Sequence, residues 1–295
     1  MNDIIKRIDS AQHIVVITHV NPDADSLGSA SAMYTYLLQL HKKVSFFCVT
    51  KEINKKLAFI PWFEKIRNSF PSSADFAIAF NCATDSRAGI TIGCDFINID
   101  SMNTTEVVYA FFKQQKVSIN KKMATALYAG LLDNSDGFTS QNVDAHFFSL
   151  IQELIAYGAD YKKCNQFIRN YRSLASLRLE GIMLNNFELY CNAQVGLFLV
   201  RPDDMKKSGA ITHDCAYALK KILSLPSVKV AVLIKEKEDL SIEGSLLCTQ
   251  DFDALVVVSN YAGCTHKSGT RFEMNNTYTL ESVSKEILKL IKKEL

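Results

Sequence analysis

The chain has 295 residues, of which 48% are hydrophobic and 22% charged, and its formal net charge is +2. This composition is typical of a globular protein of about two domains, and it excludes collagen-like and intrinsically disordered chains. The near-neutral charge gives no overall attraction to nucleic acid or to anionic membranes, so an acidic ligand would need a local pocket.

The eight cysteines form no C-x-x-C pair, which argues against a zinc cluster. No run of apolar residues approaches the 18 that a membrane span needs. The N-terminal segment lacks a signal-peptide core, so we expect reduced thiols and a cytoplasmic protein without membrane attachment.

The first half of the chain alternates strand-like and helix-like segments. Short apolar runs predict strands at Ile14–Ile17, Val44–Val49, Phe76–Phe80 and Phe96–Ile99. Helical spacing predicts helices at Leu27–Leu40, Thr105–Gln115, Lys122–Leu132 and Val143–Tyr157, with Ser26 capping the first of them. Such alternation is typical of an α/β domain with a mostly parallel sheet.

A long helical stretch, Cys164–Leu189, is predicted to connect this half to a second domain. Strands are predicted there at Val195–Val200, Val228–Ile234 and Ala254–Ser259, followed by an amphipathic helix, Leu280–Leu295. We therefore expect an α/β domain at 1–165, a helical connector at 166–190 and a smaller α/β domain at 191–295.

Polar residues follow three of the predicted strands at their carboxyl ends, where an open parallel sheet forms its ligand crevice. These residues are His19, Asn81 and Asp100. His19, Asp23 and Asp25 could together hold one Mn²⁺ or Mg²⁺. The alternative is a structural turn in which the aspartates make Asx-type hydrogen bonds and cap a helix.

The order of these motifs resembles the DHH phosphoesterases over nearly the whole chain. HVNPDADSLGS at 19–29 is specific and is similar to the family's first motif, whereas the glycine-rich element near the end is weak evidence alone. The further matches are AFNCATDSR at 79–87 to the second motif, INID at 97–100 to the third, LYAGLLDNSDGF at 127–138 to the fourth, and GCTHK at 263–267 to the GGGH element of the associated C-terminal domain.

The chain departs from this family at several metal-binding positions. Asn81 stands at the bridging aspartate of the second motif, Ser101 and Met102 replace the two histidines of the D-H-H triplet after Asp100, and Asn134 stands at the fourth-motif aspartate. Asp133 and Asp85 are candidate substitutes for lost ligands. We expect the one-residue shift to turn Asp133 away from the site, and Asp85 to pair with Arg87.

The resemblance implies two domains with a cleft between them, a homodimer, and metal-dependent hydrolysis of 3′-phosphoadenosine 5′-phosphate (pAp) or of short oligoribonucleotides. Asp25 and Asp100 then become catalytic candidates, and His266, Lys267 and Arg271 become candidates for substrate binding. Because metal ligands are missing, we expect hydrolysis to be impaired and at most one Mn²⁺ or Mg²⁺ to bind. The alternative is a pseudoenzyme that binds a nucleotide or a protein partner without hydrolysing it.

Overall fold

A computed structural model describes residues 2–82, 84–140, 143–249, 252–258, 261, 263–266 and 269–295. Contacts within the chain divide it into two compact units, Met1–Tyr171 and Arg172–Leu295. None of the described helices is both long and apolar enough to cross a membrane.

The N-terminal unit alternates strands with helices along most of its length. Its strands are β1 (His13–Thr18), β2 (Lys43–Phe47), β3 (Ile66–Arg67), β4 (Phe76–Phe80) and β5 (Asp95–Ile99). Its helices are α1 (Asn2–Ser10), α2 (Ala24–Gln39), α3 (Asp85–Ala88), α4 (Thr104–Gln114), α5 (Lys121–Asn134), α6 (Ala145–Ala156) and α7 (Tyr161–Asn165), followed by a π-helical turn at Gln166–Asn170.

The five strands form one parallel sheet in the order β3-β2-β1-β4-β5. Residues of β1 alternate between two cores: Ile14 and Val16 belong to the larger one, with α2, α4 and α5, and Val15 and Ile17 to the smaller. Both faces of β1 are buried, which explains its continuous apolar sequence. The predicted parallel α/β domain is confirmed.

The first residues of α2 correct the predicted start of that helix. Asp23, not Ser26, is the N-cap: its carboxylate accepts a hydrogen bond from the Ser26 N–H at 2.8 Å. An aspartate cap satisfies a first-turn N–H as well as a serine does, so the helix begins three residues earlier than its apolar spacing indicates.

Gly28 lets α2 pack closely on α5, since a Cβ there would lie 2.3 Å from the Ala126 carbonyl oxygen.

The C-terminal unit is built on a second sheet. Its strands are β6 (Glu188–Tyr190), β7 (Val195–Val200), β8 (Val230–Glu236), β9 (Ile242–Cys248), β10 (Gly263–His266) and β11 (Gly269–Met274). Its helices are α8 (Leu174–Asn186), α9 (Pro202–Ser208), α10 (Ala216–Ile222), α11 (Ala254–Val258) and α12 (Leu280–Glu294). The strand order is β10-β11-β9-β8-β7-β6, and the sheet is mixed because β7 and β8 are parallel while the other pairs are antiparallel.

Two predicted elements are wrong. The continuous helix predicted from Cys164 to Leu189 is broken at Tyr171, whose backbone is extended, and α8 starts afresh with Ser173 as its N-cap. The strand predicted from Ala254 to Ser259 is instead helical from Ala254 to Val258. Its β-branched residues predict a strand by propensity, but burial of Val257 and Val258 in the second core outweighs that preference.

Candidate functional site

The carboxyl ends of β1, β4 and β5 place their following residues along one edge of the N-terminal sheet. His19 and Asn81 are buried there, and Asp100 is exposed. Because β4 lies between β1 and β5, the three positions are adjacent across the sheet. This edge is the crevice that parallel sheets use for ligands.

The ring of His19 is oriented by its own neighbour. Its Nδ1 lies 2.8 Å from the Val20 carbonyl oxygen, which can only accept, so Nδ1 carries a hydrogen. In the neutral ring Nε2 then carries the lone pair, and it lies 3.7 Å from Asp23 Oδ1. Histidines that bind metals are commonly held in this way, with the other ring nitrogen donating to a backbone carbonyl.

Asp23 combines the two roles that the sequence left open. Its Oδ1 caps α2 through the Ser26 N–H and also faces His19. Its side chain is 39% exposed, so solvent reaches it. The helix-capping interpretation is confirmed for Asp23, and a metal-binding role stays a prediction.

Asp25 is completely buried and is surrounded by hydrogen-bond donors. Its Oδ1 accepts from the Thr105 N–H at 2.9 Å and from the Thr105 hydroxyl at 2.6 Å. Its Oδ2 accepts from the Thr104 N–H at 3.2 Å. The carboxylate is therefore engaged by the first turn of α4.

Asn81 is held in a similar way. Its Oδ1 accepts from the Thr104 hydroxyl at 2.6 Å and from the Ser101 N–H at 3.2 Å. Its backbone is in the left-handed region, at φ 54°, which asparagine tolerates better than most residues. The carboxamide oxygen thus faces donors of the loop between β5 and α4.

The end of α5 brings Asp133 toward the first motif. Asp133 Oδ2 accepts from the Ala24 N–H at 3.2 Å, so the expectation that its side chain turns away is wrong. The reason is that α2 packs along α5, which places the first turn of α2 beside Asp133. Asn134 instead donates from Nδ2 to the Met102 carbonyl at 2.8 Å.

Cys82 lies at the same edge but is not a candidate nucleophile. Burial raises the pKa of its thiol to about 11, and its Sγ donates to the Phe80 carbonyl. At neutral pH the group is therefore a thiol, whereas nucleophilic cysteines need a thiolate.

Thr104 and Thr105 were missed by the sequence analysis, although both donate hydrogen bonds to Asp25 and Thr104 also donates to Asn81. A signal was present: an asparagine that can cap a helix, Asn103, is followed directly by two hydroxyl residues just after a strand. The side chain of Asp85, the other candidate ligand, lies outside the described residues.

The donor set does not fit a two-metal centre. The oxygens of Asp25 and Asn81 already accept hydrogen bonds from α4 and its preceding loop, and Asn134 bonds a carbonyl. Among the described residues, no group of three His, Cys, Asp or Glu side chains is placed to hold a metal ion. His19 Nε2 and Asp23 Oδ1 remain as a pair of donors for one cation.

In the C-terminal unit, the candidate Arg271 lies on β11 and faces an anion. Its Nε is 3.2 Å from Glu243 Oε1, while Lys235 Nζ is 2.8 Å from Glu243 Oε2. Burial acts to raise the pKa of Glu243, but the hydrogen bond and charge of Lys235, with the charge of Arg271, hold it below its usual value. The side chain of His266 and all of Lys267 lie outside the described residues.

Comparison with known proteins identifies the N-terminal unit. Residues 13–131 match the DHH family, N-terminal domain. The chain carries a DHH-family domain. It is also 21% identical over 264 residues to the bifunctional oligoribonuclease and PAP phosphatase NrnA of Bacillus subtilis (strain 168), covering 80% of this chain and 82% of that protein.

Solved structures share the fold of this chain. An exopolyphosphatase-related protein from Bacteroides fragilis superposes with a TM-score of 0.86 at 20% identity, covering 99% of this chain and 95% of that one. RecJ from Thermus thermophilus, in complex with Mn²⁺, gives a TM-score of 0.56 at 9% identity, covering 99% of this chain and 54% of RecJ. RecJ from the same organism has also been solved with Mg²⁺.

Proposed function

We propose that this DHH phosphoesterase-like protein has an impaired hydrolytic centre, and that its ligand is pAp, a short oligonucleotide or another phosphorylated small molecule. The observation that carries the proposal is the state of Asp25 and Asn81, whose side-chain oxygens accept hydrogen bonds from Thr104, Thr105 and Ser101. Oxygens that already accept hydrogen bonds have fewer lone pairs left for a shared cation.

Charge supports the same conclusion. Two divalent cations about 3.5–4 Å apart are the usual clamp for phosphoryl hydrolysis. At about 4 Å and an effective dielectric constant of about 20, their repulsion is roughly 16 kcal/mol, which anionic ligands must offset. The carboxamides of Asn81 and Asn134 carry no charge, and Ser101 supplies no imidazole. Two closely spaced cations are therefore disfavoured.

One cation is the most that we expect this edge to bind. His19 offers Nε2 and Asp23 offers Oδ1, and both face the same space. Mn²⁺ accepts such a mixture of imidazole and carboxylate ligands, and Mg²⁺ prefers the carboxylate. When bound, the ion would supply positive charge for a phosphate group, while Asp100 would orient neighbouring groups from the exposed end of β5.

The ligand class follows from the relative and from the cations of the C-terminal unit. NrnA is named for oligoribonuclease and PAP phosphatase activities, which makes pAp and a dinucleotide the first probes. We propose that His266, Lys267 and Arg271 contact the phosphate or nucleotide. Arg271 would then share its guanidinium between Glu243 and the ligand, because its side chain is 41% exposed.

The test is hydrolysis of pAp and of a dinucleotide in Mn²⁺ by the full chain and by the triple variant Asn81→Asp, Ser101→His, Asn134→Asp. We expect little turnover by the unmodified chain and a clear gain in the triple variant. Asn98→Asp is a matched control, because Asn98 accepts from the Cys82 N–H beside the site but matches none of the lost ligands. Strong turnover by the unmodified chain that disappears in Asp25→Ala contradicts the proposal.

A second candidate function is binding without hydrolysis, as a pseudoenzyme that recognises a nucleotide or a protein partner. This function is favoured because His19 and Asp23 are retained beside Asp25, whose carboxylate already accepts hydrogen bonds. Calorimetric titration of the chain with pAp separates the two functions, since a pseudoenzyme binds pAp and leaves it intact over hours. The homodimer stays a prediction, which sedimentation equilibrium can test.

A further inference from the structure

The Asp25 carboxylate lies between the N-termini of two helices. Asp25 is the second residue of α2, and its oxygens accept from the first two N–H groups of α4. A helix N-terminus carries a partial positive charge and free N–H groups, so it stabilises an anion. Two such ends act together on Asp25, and their N–H groups help to stabilise a fully buried carboxylate.

The hydroxyl of Thr105 adds a further hydrogen bond to Asp25 and fits a narrow space between α2 and α5. Thr105 Oγ1 lies 2.6 Å from Asp25 Oδ1 and 3.1 Å from Ser29 Oγ. The opposite wall is Gly130, where an added Cβ would lie 2.1 Å from the same hydroxyl oxygen. A glycine on α5 therefore makes the space that the threonine of α4 occupies.

Thr104 extends the network to the neighbouring strand. Its N–H donates to Asp25 and its hydroxyl donates to Asn81 Oδ1 at 2.6 Å. Asn81 in turn accepts from the Ser101 N–H. Two adjacent threonines thus connect α2, the end of β4 and the loop before α4 through uncharged donors.

We infer that the chain occupies the predicted metal ligand Asp25 with its own hydrogen-bond donors, and that Asp25 has become a structural clamp between α2 and α4. Folding of the N-terminal unit then needs no divalent cation. This inference goes beyond the proposed function and does not depend on it: a chain with an intact clamp folds without metal whether or not it hydrolyses a substrate.

The competing description is an acidic crevice that a cation must stabilise. Three carboxylates lie around the first turn of α2. Asp23 accepts from the Ser26 N–H, Asp133 accepts from the Ala24 N–H, and Asp25 belongs to the turn itself. Crowded carboxylates repel one another, so neutralising Asp25 would stabilise such a site in the absence of metal. The two descriptions predict opposite effects for Asp25→Asn.

The experiment is thermal unfolding of the full chain in excess EDTA and in millimolar Mn²⁺. Asp25→Asn is expected to lower the midpoint by several degrees in EDTA, because its amide hydrogens face the donors of Thr104 and Thr105. Thr105→Val is expected to lower it too, and Thr105→Ser, which keeps the hydroxyl, much less. Asp100→Asn, an exposed carboxylate at the same edge, is the matched control and leaves the midpoint unchanged.

The double variant Asp25→Asn, Thr105→Val is expected to lose less than the sum of the two single losses, because both remove one interaction. If Asp25→Asn does not fold, the Thr105→Val and Thr105→Ser pair still decides the matter in EDTA. An Asp25→Asn variant as stable as the unmodified chain in EDTA overturns the inference, as does Mn²⁺ stabilisation that depends on Asp25. Turnover of pAp by an EDTA-stable chain overturns the proposed function alone.

Discussion

Asp25 and Glu243 are two well-buried carboxylates that the molecule satisfies in different ways. Asp25, in the N-terminal unit, accepts hydrogen bonds from backbone N–H groups and a hydroxyl at the start of α4. Glu243, on β9 of the C-terminal unit, lies between the charged side chains of Lys235 and Arg271. One anion is held by dipoles, and the other by opposite charges.

This difference indicates which kind of substitution should destabilise each unit. Dipolar donors at a helix end are fixed by the backbone, so the Asp25 arrangement depends on the close packing of α2, α4 and α5. An ion pair depends on the presence of both charges, because an uncompensated buried charge is costly. The N-terminal crevice is therefore expected to be sensitive to steric change, and the Glu243 cluster to loss of a charge.

The largest expected effect is that of Lys235→Met. Lys235 Nζ is almost completely buried and bonds Glu243 and the Thr212 hydroxyl, so its loss removes the shorter of the two ion pairs of Glu243. We expect a loss of about 3–5 kcal/mol in the free energy of unfolding, measured by urea titration. The double variant Lys235→Met, Glu243→Leu is the control and should recover most of that loss. Equal stability of the single variant and the unmodified chain would remove the contrast between the two carboxylates.

A steric change in the N-terminal unit should have the next largest effect. Gly130→Ala places a methyl group against the Thr105 hydroxyl, and we expect it to cost about 1–3 kcal/mol, as overpacking of a core does. Gly181→Ala, in α8, is the matched control. Nothing lies within 4 Å of a Cβ there, so alanine should stabilise that helix by up to about 1 kcal/mol. Urea unfolding of both variants checks the pair, and equal losses would argue against a slot built for Thr105.

Arg271→Gln should have a smaller effect than the loss of Lys235. Its side chain is 41% exposed, and water screens its charge, so we expect a loss of less than about 1 kcal/mol. That difference should shrink further in about 1 M salt, where exposed charges are screened within about 3 Å. A loss as large as that of Lys235→Met, unchanged by salt, would show that the two cations are equivalent.

The smallest effect concerns His13, at the opposite end of β1. Its ring lies 2.8 Å from both Ser73 Oγ and Ser45 Oγ, and burial, helped by the charge of Lys43, lowers its pKa below the usual 6.5. The unfolded chain therefore takes up the proton first as the pH falls. The contribution of His13 is complete above about pH 6.5 and decreases as the pH falls toward the pKa of the folded state.

Unfolding of the unmodified chain and of His13→Gln at about pH 7.5 and about pH 5.5 measures this effect. The unmodified chain should lose more stability than the variant across this window. Glu243 does not interfere, because its pKa is held below its usual value and its contribution is lost in a more acidic range. Identical losses in the two proteins would mean that the His13 ring is as easily protonated in the folded chain as in the unfolded one.

The fold was largely predictable from the sequence because its strongest signals are local. The strand at Phe76–Phe80 was predicted with its observed bounds, since a short apolar run buried on both faces has few alternatives. The helix at Ala254–Val258 was not predicted, because its valines favour a strand by propensity and their packing in the second core outweighs that preference. The break at Tyr171 left no proline or glycine to mark it.

The candidate site was predictable in position but not in its connections. The edge with His19, Asn81 and Asp100 follows from strand ends that align in a parallel sheet. The contact of Asp25 with Thr104 and Thr105 joins residues 79 and 80 positions apart, which no local pattern encodes. Asp133 was misjudged for the same reason, since its orientation depends on how α2 packs on α5.

That separation also bears on the order in which the chain can fold during synthesis. At about 5–20 residues per second, a ribosome needs roughly 4–16 s to proceed from Asp25 to Thr105. Throughout this interval β1, β2 and β4 can emerge, while the Asp25 carboxylate has no partner from α4 and must keep its water. We therefore expect the crevice end of the nascent sheet to stay hydrated and open until α4 has left the ribosome, so that docking of α4 is a late step.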